Sequence, residues 1–421
     1  MLRPGDADFE KLLPFNRRTL VRPQVIAQCR TANGVSLAIQ WARAHGVALC
    51  GHSGGHSYER FSSCSGLLID VRSMDAVVID VAAKTARIGA GSLLGDVAEQ
   101  LFVEKLALPA GSCKPVGIAG LTLGGGHGLS SRKLGLTADN LLSAKIVDAT
   151  GMVLNASATE NPDLFWALRG GGGGNFGVVT EFTFTVHPVD RVIAFRITWP
   201  ANFPTASLKA WQNFAQTAPD ELSFLYVMTG GQGKITGIRC TGLYLPKTAG
   251  ETPKLSTLKT LLAPLLSTGS PTLSTKQFTY IEAARYFAGN GDPDRVYFKG
   301  KSDYSIGALS NEGVSTFIKT LRNSPAMRAL QHAGDVRRSV GLREVEEHIG
   351  FAIGCGCARA LSMSTRRERF PTASSMAFAM LRRPAARLLR FWSAVAERSA
   401  DTAFGLRAKA VGVVGRDARF S

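Results

Sequence analysis

The sequence of 421 residues lacks several features that mark particular classes of protein. It contains no run of eighteen apolar residues, which argues against a membrane-spanning helix. Its first thirty residues hold no apolar stretch typical of a signal peptide. From these two absences we expect a cytoplasmic protein that has no membrane partner.

Cysteine is scarce and irregularly placed, with seven residues at positions 29, 50, 64, 113, 240, 355 and 357. An odd number without regular spacing gives no disulfide framework and is typical of a reducing compartment. The sequence also has no P-loop motif, which argues against a nucleoside triphosphatase.

Acidic residues are fewer than basic ones, 32 against 49, and the formal net charge is +17. The basic residues are not interleaved with aromatic ones in any known nucleic-acid-binding module, so we expect no nucleic-acid partner. A positive field of this size can still steer anionic substrates toward the protein.

The first 190 residues read as short strands, amphipathic helices and glycine-rich loops. A helix is predicted over 33–44, and a strand over 47–50 leads directly into the loop 51–58. The interval 109–128 holds seven glycines and is predicted to be a loop. Thr150-Gly151 between two apolar segments is typical of a β-hairpin turn.

Beyond residue 190 the pattern changes, and the chain length allows for two or three domains. Strand-like segments there alternate with helical ones, which predicts an antiparallel sheet covered by helices, and hence a second α+β domain. The predicted strands are 192–199, 223–228 and 235–245, and the predicted helices are 206–217, 253–266 and 311–322.

Gly172, Gly174 and Gly177 match the G-x-G-x-x-G fingerprint of dinucleotide-binding folds. That fingerprint requires a strand before it and a helix after it. Here the predicted helix comes first and the predicted strand follows, which argues against a Rossmann site. The glycines still allow close approach of a ligand to backbone amides that can hold phosphate.

His52 and His56 have the spacing of a helical pair of metal ligands. Because the three residues after His52 are Ser53-Gly54-Gly55, a helix is disfavoured there and we expect no metal. Two interpretations of these histidines remain: hydrogen bonding within a loop, or a role in cofactor binding or catalysis.

Cys113 stands in a second glycine-rich segment, beside Lys114. It is either a buried structural thiol or an exposed one whose thiolate the lysine favours. Like the loop 51–58, this segment combines a potential nucleophile with backbone that carries few side chains. The pair indicates a large, flat cofactor held by one or two covalent bonds, and we take a flavin as the hypothesis.

Seven motifs together resemble the berberine-bridge-enzyme-like FAD-linked oxidases of the vanillyl-alcohol-oxidase and para-cresol-methylhydroxylase superfamily. The similarity covers about residues 18–330. The motifs are Ser53-Gly54-Gly55-His56-Ser57-Tyr58, Gly89-Ala90-Gly91, Cys113 with Val116-Gly117 and Gly120, Gly124-Gly125-Gly126-His127-Gly128, Ser131-Arg132-Lys133-Leu134-Gly135, Asp139-Asn140, and the segment from Phe165 to Gly172.

The resemblance implies an α+β fold with a two-subdomain, para-cresol-methylhydroxylase-type FAD-binding domain and an antiparallel-sheet substrate domain flanked by helices. It also implies FAD joined to His56 through the flavin 8α-methyl and to Cys113 through the flavin C6. The other implied cofactor-binding residues are Ser53, Gly54, Gly55, Ser57, Gly91, Val116, Gly117, Gly120, Gly124 and Val178.

The implied reaction is hydride transfer from a small alcohol, sugar or amine-type substrate to the flavin, with dioxygen as the acceptor that reoxidises it. Tyr58 and His127 are the candidate catalytic residues that take the substrate proton, and the alternative is that each only packs against the flavin. The family also contains dehydrogenases that avoid oxygen.

The resemblance gives three segments: an FAD-binding domain over 1–190, a substrate domain over 191–333 and an atypical segment over 334–421. From residue 331 onward the chain has fifteen arginines and no tyrosine or asparagine, whereas the family ends in a segment rich in both. We hypothesise a shifted reading frame, and the competing interpretation is a divergent basic tail. With this tail, the alternative function is a flavin-binding protein with little or no turnover.

Overall fold

The structure is a computed structural model that describes residues 1–14, 20–57, 59–288, 308–323 and 353–354. The helices of this part are α1 (Ala32–Ala44), α2 (Leu94–Val103), α3 (Ile118–Leu123), α4 (Ser131–Leu134), α5 (Pro162–Leu168), α6 (Pro204–Thr217), α7 (Leu255–Leu266), α8 (Tyr280–Ala288) and α9 (Asn311–Arg322). Among these helices, none is both long and apolar enough to cross a bilayer.

The strands belong to three main sheets and one short pair. They are β1 (Val25–Gln28), β2 (Leu49–His52), β3 (Leu67–Asp70), β4 (Val77–Asp80), β5 (Thr85–Gly89), β6 (Leu106–Ala107), β7 (Leu141–Val147), β8 (Val153–Ser157), β9 (Val178–Thr185), β10 (His187–Pro188), β11 (Arg191–Trp199), β12 (Leu222–Gly231), β13 (Lys234–Tyr244), β14 (Thr272–Thr279) and β15 (Ile353–Gly354).

The first sheet is parallel, with strand order β1-β3-β2. The predicted helix 33–44 is confirmed as α1, which starts where the Thr31 hydroxyl accepts a hydrogen bond from the Gly34 amide at 3.1 Å. Its buried face contains Val35, Ile39 and Ala42. The predicted strand 47–50 is observed two residues later, as β2, and it leads into the loop at Ser53.

The second sheet is antiparallel, with strand order β4-β5-β9-β7-β8. Its central strand β9 alternates as its sequence predicts: Phe182 and Phe184 are fully buried, with ring centroids 5.6 Å apart, while alternate residues are half-buried. The predicted hairpin at Thr150-Gly151 is confirmed, since it joins β7 to its antiparallel neighbour β8.

The third sheet has the order β14-β11-β13-β12-β15, and all four pairings are antiparallel. Helices α6, α7 and α9 pack on it through a shared core that includes Trp211, Leu258 and Val314. This confirms the predicted helix-covered antiparallel sheet. The prediction missed β14 and α8.

The chain passes from the second sheet to the third between β9 and β11. The domain limits at 190 and 333 remain predictions. Of the segment 334–421, only β15 lies within the described residues, where it pairs with Leu225 and Tyr226 of β12.

Side-chain hydrogen bonds attach α4 to the third sheet and its helices. The buried guanidinium of Arg132 donates to the Ala218 carbonyl at 2.6 Å, and its charge lies 5.7 Å from the centroid of the Phe224 ring. The Ser130 hydroxyl shares a hydrogen bond of 3.0 Å with the Tyr280 hydroxyl. These contacts fix the glycine-rich segment before α4 relative to the third sheet.

Two local predictions were wrong in part. The interval 109–128 is not all loop, because the apolar side chains of Ile118 and Leu123 are buried and α3 forms around them. Helix α5 starts at Pro162 as predicted, but the side chain of Asn161 does not cap it. That amide donates instead to the Asn155 carbonyl on β8, at 2.6 Å.

Candidate functional site

Two loops make direct backbone contact at the centre of the candidate site. A Cβ atom placed on Gly54 would lie 2.1 Å from the amide nitrogen of Gly117 and 2.7 Å from the carbonyl oxygen of Pro115. A Cβ atom placed on Gly117 would lie 2.1 Å from the hydroxyl oxygen of Ser53. Glycine is therefore required on both sides of this contact, since any side chain would overlap the other loop.

A third loop supports this contact. The Ser53 hydroxyl donates a hydrogen bond to the Ala90 carbonyl at 2.8 Å. A Cβ atom on the next residue, Gly91, would lie 2.1 Å from the Val71 carbonyl oxygen. Three segments that are far apart in sequence therefore meet with almost no side chain between them, and the structure brings the predicted residues Ser53, Gly54, Gly91 and Gly117 together.

The first loop presents unused hydrogen-bond donors. The backbone amides of Gly54, Gly55 and Ser57 donate to no group in the part of the chain that the structure describes. Gly55 has a φ of +71°, which turns the backbone in a way that glycine tolerates best. Backbone amides without a partner in a glycine-rich loop can bind anions such as phosphate.

An open space adjoins these loops. Cβ atoms placed on Gly120 or Gly174 would meet no heavy atom within 4 Å, and one on Gly173 would come no closer than 3.9 Å to any heavy atom. On another side, the buried Val178 at the start of β9 lies 3.6 Å from the Cβ position of Gly51. Bare backbone and donor amides beside open space suit a large, flat, phosphate-bearing ligand, and they fit FAD.

The two candidate linking residues extend from the contacting loops. His56 is half-buried and lies two residues beyond Gly54, while Cys113 is an exposed free thiol two residues before Pro115. Since consecutive Cα atoms are about 3.8 Å apart, the Cα atoms of His56 and Cys113 lie no more than roughly 8 Å from those of Gly54 and Pro115, respectively. The adjoining residue Val116 accepts a hydrogen bond from Leu94 at 2.9 Å, which ties the second loop to α2.

His52 supports the first loop from beneath. Its side chain is 3% exposed, and its Nδ1 donates to the Ser62 carbonyl at 3.1 Å. Burial and the nearby Arg72 guanidinium lower the pKa of His52 to about 4, so the ring is neutral at physiological pH. Its Cε1 lies 2.8 Å from where a Cβ on Gly55 would be, so the imidazole fills the space beneath that turn.

Of the two candidate catalytic residues, the structure describes only His127. Tyr58 lies outside the described residues. His127 lies on the exposed side of its loop, and its carbonyl oxygen is 3.7 Å from the Cβ position of Gly111. The surrounding chain removes water from part of its ring, which lowers the pKa of His127 and favours the neutral imidazole.

The remaining predicted residues have structural partners. Gly124 ends α3 by donating to the Gly120 carbonyl at 3.2 Å. The Ser57 hydroxyl accepts a hydrogen bond from the Phe61 amide at 3.0 Å. The roles of the predicted site residues in cofactor binding and catalysis remain a prediction.

Sequence reasoning did not identify the side chains that brace the loop before α4. The Thr137 hydroxyl donates to the Pro109 carbonyl at 2.6 Å and lies against Gly126, whose φ is +75°. The side-chain oxygen Oδ1 of Asn140 accepts a hydrogen bond of 2.6 Å from Nε2 of His187. Asn140 was part of a recognised motif, but its partner, 47 residues away, depends on the tertiary fold.

Comparisons with known proteins agree with this geometry. A family model for the FAD binding domain matches residues 23–157. The FAD-linked oxidoreductase YgaK of Bacillus subtilis is 36% identical over 314 residues, which cover 73% of this chain and 67% of YgaK.

Two solved structures are similar over most of the described chain. BBE-like 1 of Physcomitrella patens has a TM-score of 0.66 and 30% identity, covering 76% of this chain and 71% of that one. Glucooligosaccharide oxidase of Acremonium strictum has a TM-score of 0.67 and 28% identity, covering 77% of this chain and 69% of that one.

The fold and these matches together define an FAD-binding protein of the para-cresol-methylhydroxylase type, as the resemblance implied. Within that class, the chain belongs to the berberine-bridge-enzyme-like FAD-linked oxidoreductases. The predicted fold class and family are thereby confirmed.

The contact between the two loops makes the Gly54→Ala substitution informative. The added methyl group overlaps the backbone of Gly117, and relieving the overlap is expected to cost about 1–3 kcal/mol. Because the loops must separate, FAD bound per chain should fall, measured by visible absorbance of the purified protein. Gly34→Ala is the control, since its Cβ comes no closer than 3.5 Å to Thr31. Equal flavin content in the two variants would contradict the role of this contact.

The buried neutral His52 also predicts a pH dependence of stability. Its pKa is lowered from 6.5 to about 4 on folding, so the unfolded chain binds the proton more tightly. Stability is therefore lost as the pH falls from about 6.5 towards 4, by up to about 3 kcal/mol. In His52→Asn this part of the slope should disappear from urea-unfolding curves, whereas His45→Asn, at an exposed position, keeps it. Parallel slopes for wild type and His52→Asn would refute the assignment.

Proposed function

We propose that this protein is an FAD-dependent oxidase that removes a hydride from a small alcohol, sugar or amine-type substrate and passes the electrons to dioxygen. The observation that carries the proposal is the backbone contact between the loops of His56 and Cys113, beside glycines whose Cβ positions face open space. That arrangement lets two side chains approach one ligand from adjoining loops while the backbone lies close to it.

We also propose that the FAD is attached twice, through His56 and through Cys113. The support is the placement of an imidazole and an exposed thiol two residues from the contact, on opposite loops. The similar glucooligosaccharide oxidase is described with a 6-S-cysteinyl, 8α-N1-histidyl FAD, which uses the same two residue types.

When bound, FAD supplies the redox chemistry by accepting the hydride and returning the electrons to the acceptor. The chain supplies position and proton transfer. The amides of Gly55 and Ser57, which donate to no group in the described part of the chain, are available as donors for phosphate. His127, kept neutral by the lowered pKa of its ring, can accept the proton that the substrate loses.

A second candidate function is a flavin-binding protein with little or no turnover. Its support is in the sequence, because the fifteen arginines after residue 331 replace the tyrosine- and asparagine-rich end that the family places at the active site. The two candidates share the cofactor and differ in whether a substrate reduces it.

Attachment of the flavin is tested by denaturing the purified protein in acid and separating it from small molecules. Colour should stay with the polypeptide in the wild type, and in the single variants His56→Ala and Cys113→Ala, because one bond is enough to retain it. The double variant should release its flavin. Free flavin from the denatured wild type would overturn the proposal of covalent attachment.

Turnover is tested by mixing the oxygen-free holoprotein with a panel of sugars, alcohols and amines and following the visible absorbance of the flavin. An oxidase is bleached by one of the classes, recovers on admission of air and releases hydrogen peroxide. His127→Gln should slow bleaching by roughly 100-fold or more if His127 accepts the proton, while His45→Asn should leave the rate unchanged. No bleaching by any compound would favour the flavin-binding alternative.

A further inference from the structure

Two cysteines lie at the base of the loop that carries His56. Cys50 is in β2, immediately before Gly51, and Cys64 lies where the chain returns toward β3. Both are free thiols of intermediate exposure, and neither takes part in the proposed flavin site. The sequence pattern gave no reason to pair them, because the cysteines are irregularly spaced.

A crossing of the backbone brings the two residues together. A Cβ atom on Gly66 would lie 2.0 Å from the carbonyl oxygen of Ala48, so the two segments touch there. Cys50 follows Ala48 by two residues, and Cys64 precedes Gly66 by two. The Cys64 sulfur donates to the Leu67 carbonyl at 3.3 Å, and Leu67 pairs in the sheet with the residue before Cys50.

The two thiols are neighbours at this crossing and influence each other's protonation. The interaction with the Cys50 thiol is the main cause that lowers the pKa of Cys64, and the backbone of Gly66 and Cys50 adds to it. The same contact, with burial, raises the pKa of Cys50 well above its usual range. The pair therefore has a nucleophilic member and a proton-holding member.

We propose that Cys50 and Cys64 form a modification site: a dithiol that a hydroperoxide oxidises to a disulfide across the base of the flavin-carrying loop. The pair satisfies the usual requirements of a redox-responsive site, which are an accessible sulfur with thiolate character and a second cysteine beside it.

The reaction balances in two steps. The Cys64 thiolate attacks one oxygen of hydrogen peroxide, the O–O bond breaks, and the departing hydroxide takes a proton to become water, which leaves a sulfenic acid on Cys64. The Cys50 sulfur then attacks the Cys64 sulfur, the S–O bond breaks and a second water leaves with the proton from Cys50. Two thiols lose two electrons, and one peroxide gains them.

The disulfide would enclose residues 51–63, which include the glycines that contact Gly117. Cross-linking the two ends of this segment removes conformations from the unfolded chain, so the folded state gains stability. A thiol reductant reverses the bond. Because the peroxide in the test is added from outside, the result does not depend on whether the protein is an oxidase.

The test uses the chemistry of the full-length protein. The native protein is treated with hydrogen peroxide, its remaining thiols are alkylated, and it is digested with trypsin. Cleavage after Arg43, Arg60 and Arg72 puts Cys50 and Cys64 on separate peptides, 44–60 and 61–72. We expect these two peptides to be joined, with the mass of their sum less two hydrogens, plus any flavin attached to His56 and any Cys113 peptide that the flavin carries, and we expect dithiothreitol to release peptide 61–72.

Variants decide whether the bond is specific. Cys29→Ser should keep the joined peptides, because Cys29 is buried elsewhere on the same sheet. Cys64→Ser should lose them, and it should also lose the rise in melting temperature, roughly 5 °C, that oxidation gives the wild type. Recovery of both peptides unlinked, whether alkylated or over-oxidised, would overturn the proposal. So would a bond from Cys64 to any cysteine other than Cys50.

Discussion

The backbone contact between Gly54 and Gly117 is the constraint on which the rest of the cofactor site depends. One glycine follows a strand of the first sheet, and the other precedes the helix that lies in the glycine-rich interval. Their close approach leaves no room for a side chain at either of these two positions. Ser53 and Gly91 extend the same contact to the second sheet, and His52 fills the space beneath it. We call the three loops at Ser53–Gly54, Ala90–Gly91 and Pro115–Gly117 the cradle. Its contacts with two sheets hold it in place, and its glycines leave space for a ligand.

The third sheet is attached to this cradle in a different way. Its connection at α4 is made by side chains, through the buried Arg132 and through the hydroxyl pair of Ser130 and Tyr280. These side chains are distinct from the residues of the Gly54–Gly117 contact. The part that holds the flavin and the part expected to contact the substrate thus depend on separate sets of contacts.

Sequence reasoning succeeded where one physical cause dominates. Alternation along β9 requires Phe182 and Phe184 to be buried, and the apolar face of α1 gives its limits to within a residue. It failed where tertiary contacts determine the local structure. The many glycines of 109–128 predicted a loop, but α3 forms there because Ile118 and Leu123 are buried in the core. The side chain of Asn161 was predicted to cap α5, but it donates a hydrogen bond to β8 instead. In the site, the glycines could be recognised as places of close approach, but the partner of each depends on how distant loops meet. The pairing of Cys50 with Cys64 has the same origin, the crossing at Gly66.

The position of β9 at the centre of the second sheet has a consequence for the order in which the protein is made. Its neighbours on either side come earlier in the chain, so the sheet cannot close until synthesis has passed residue 185. By then every loop that forms the cradle has already been synthesised. All of the loops around the Gly54–Gly117 contact are therefore made before the strands of the third sheet, which begin at Arg191.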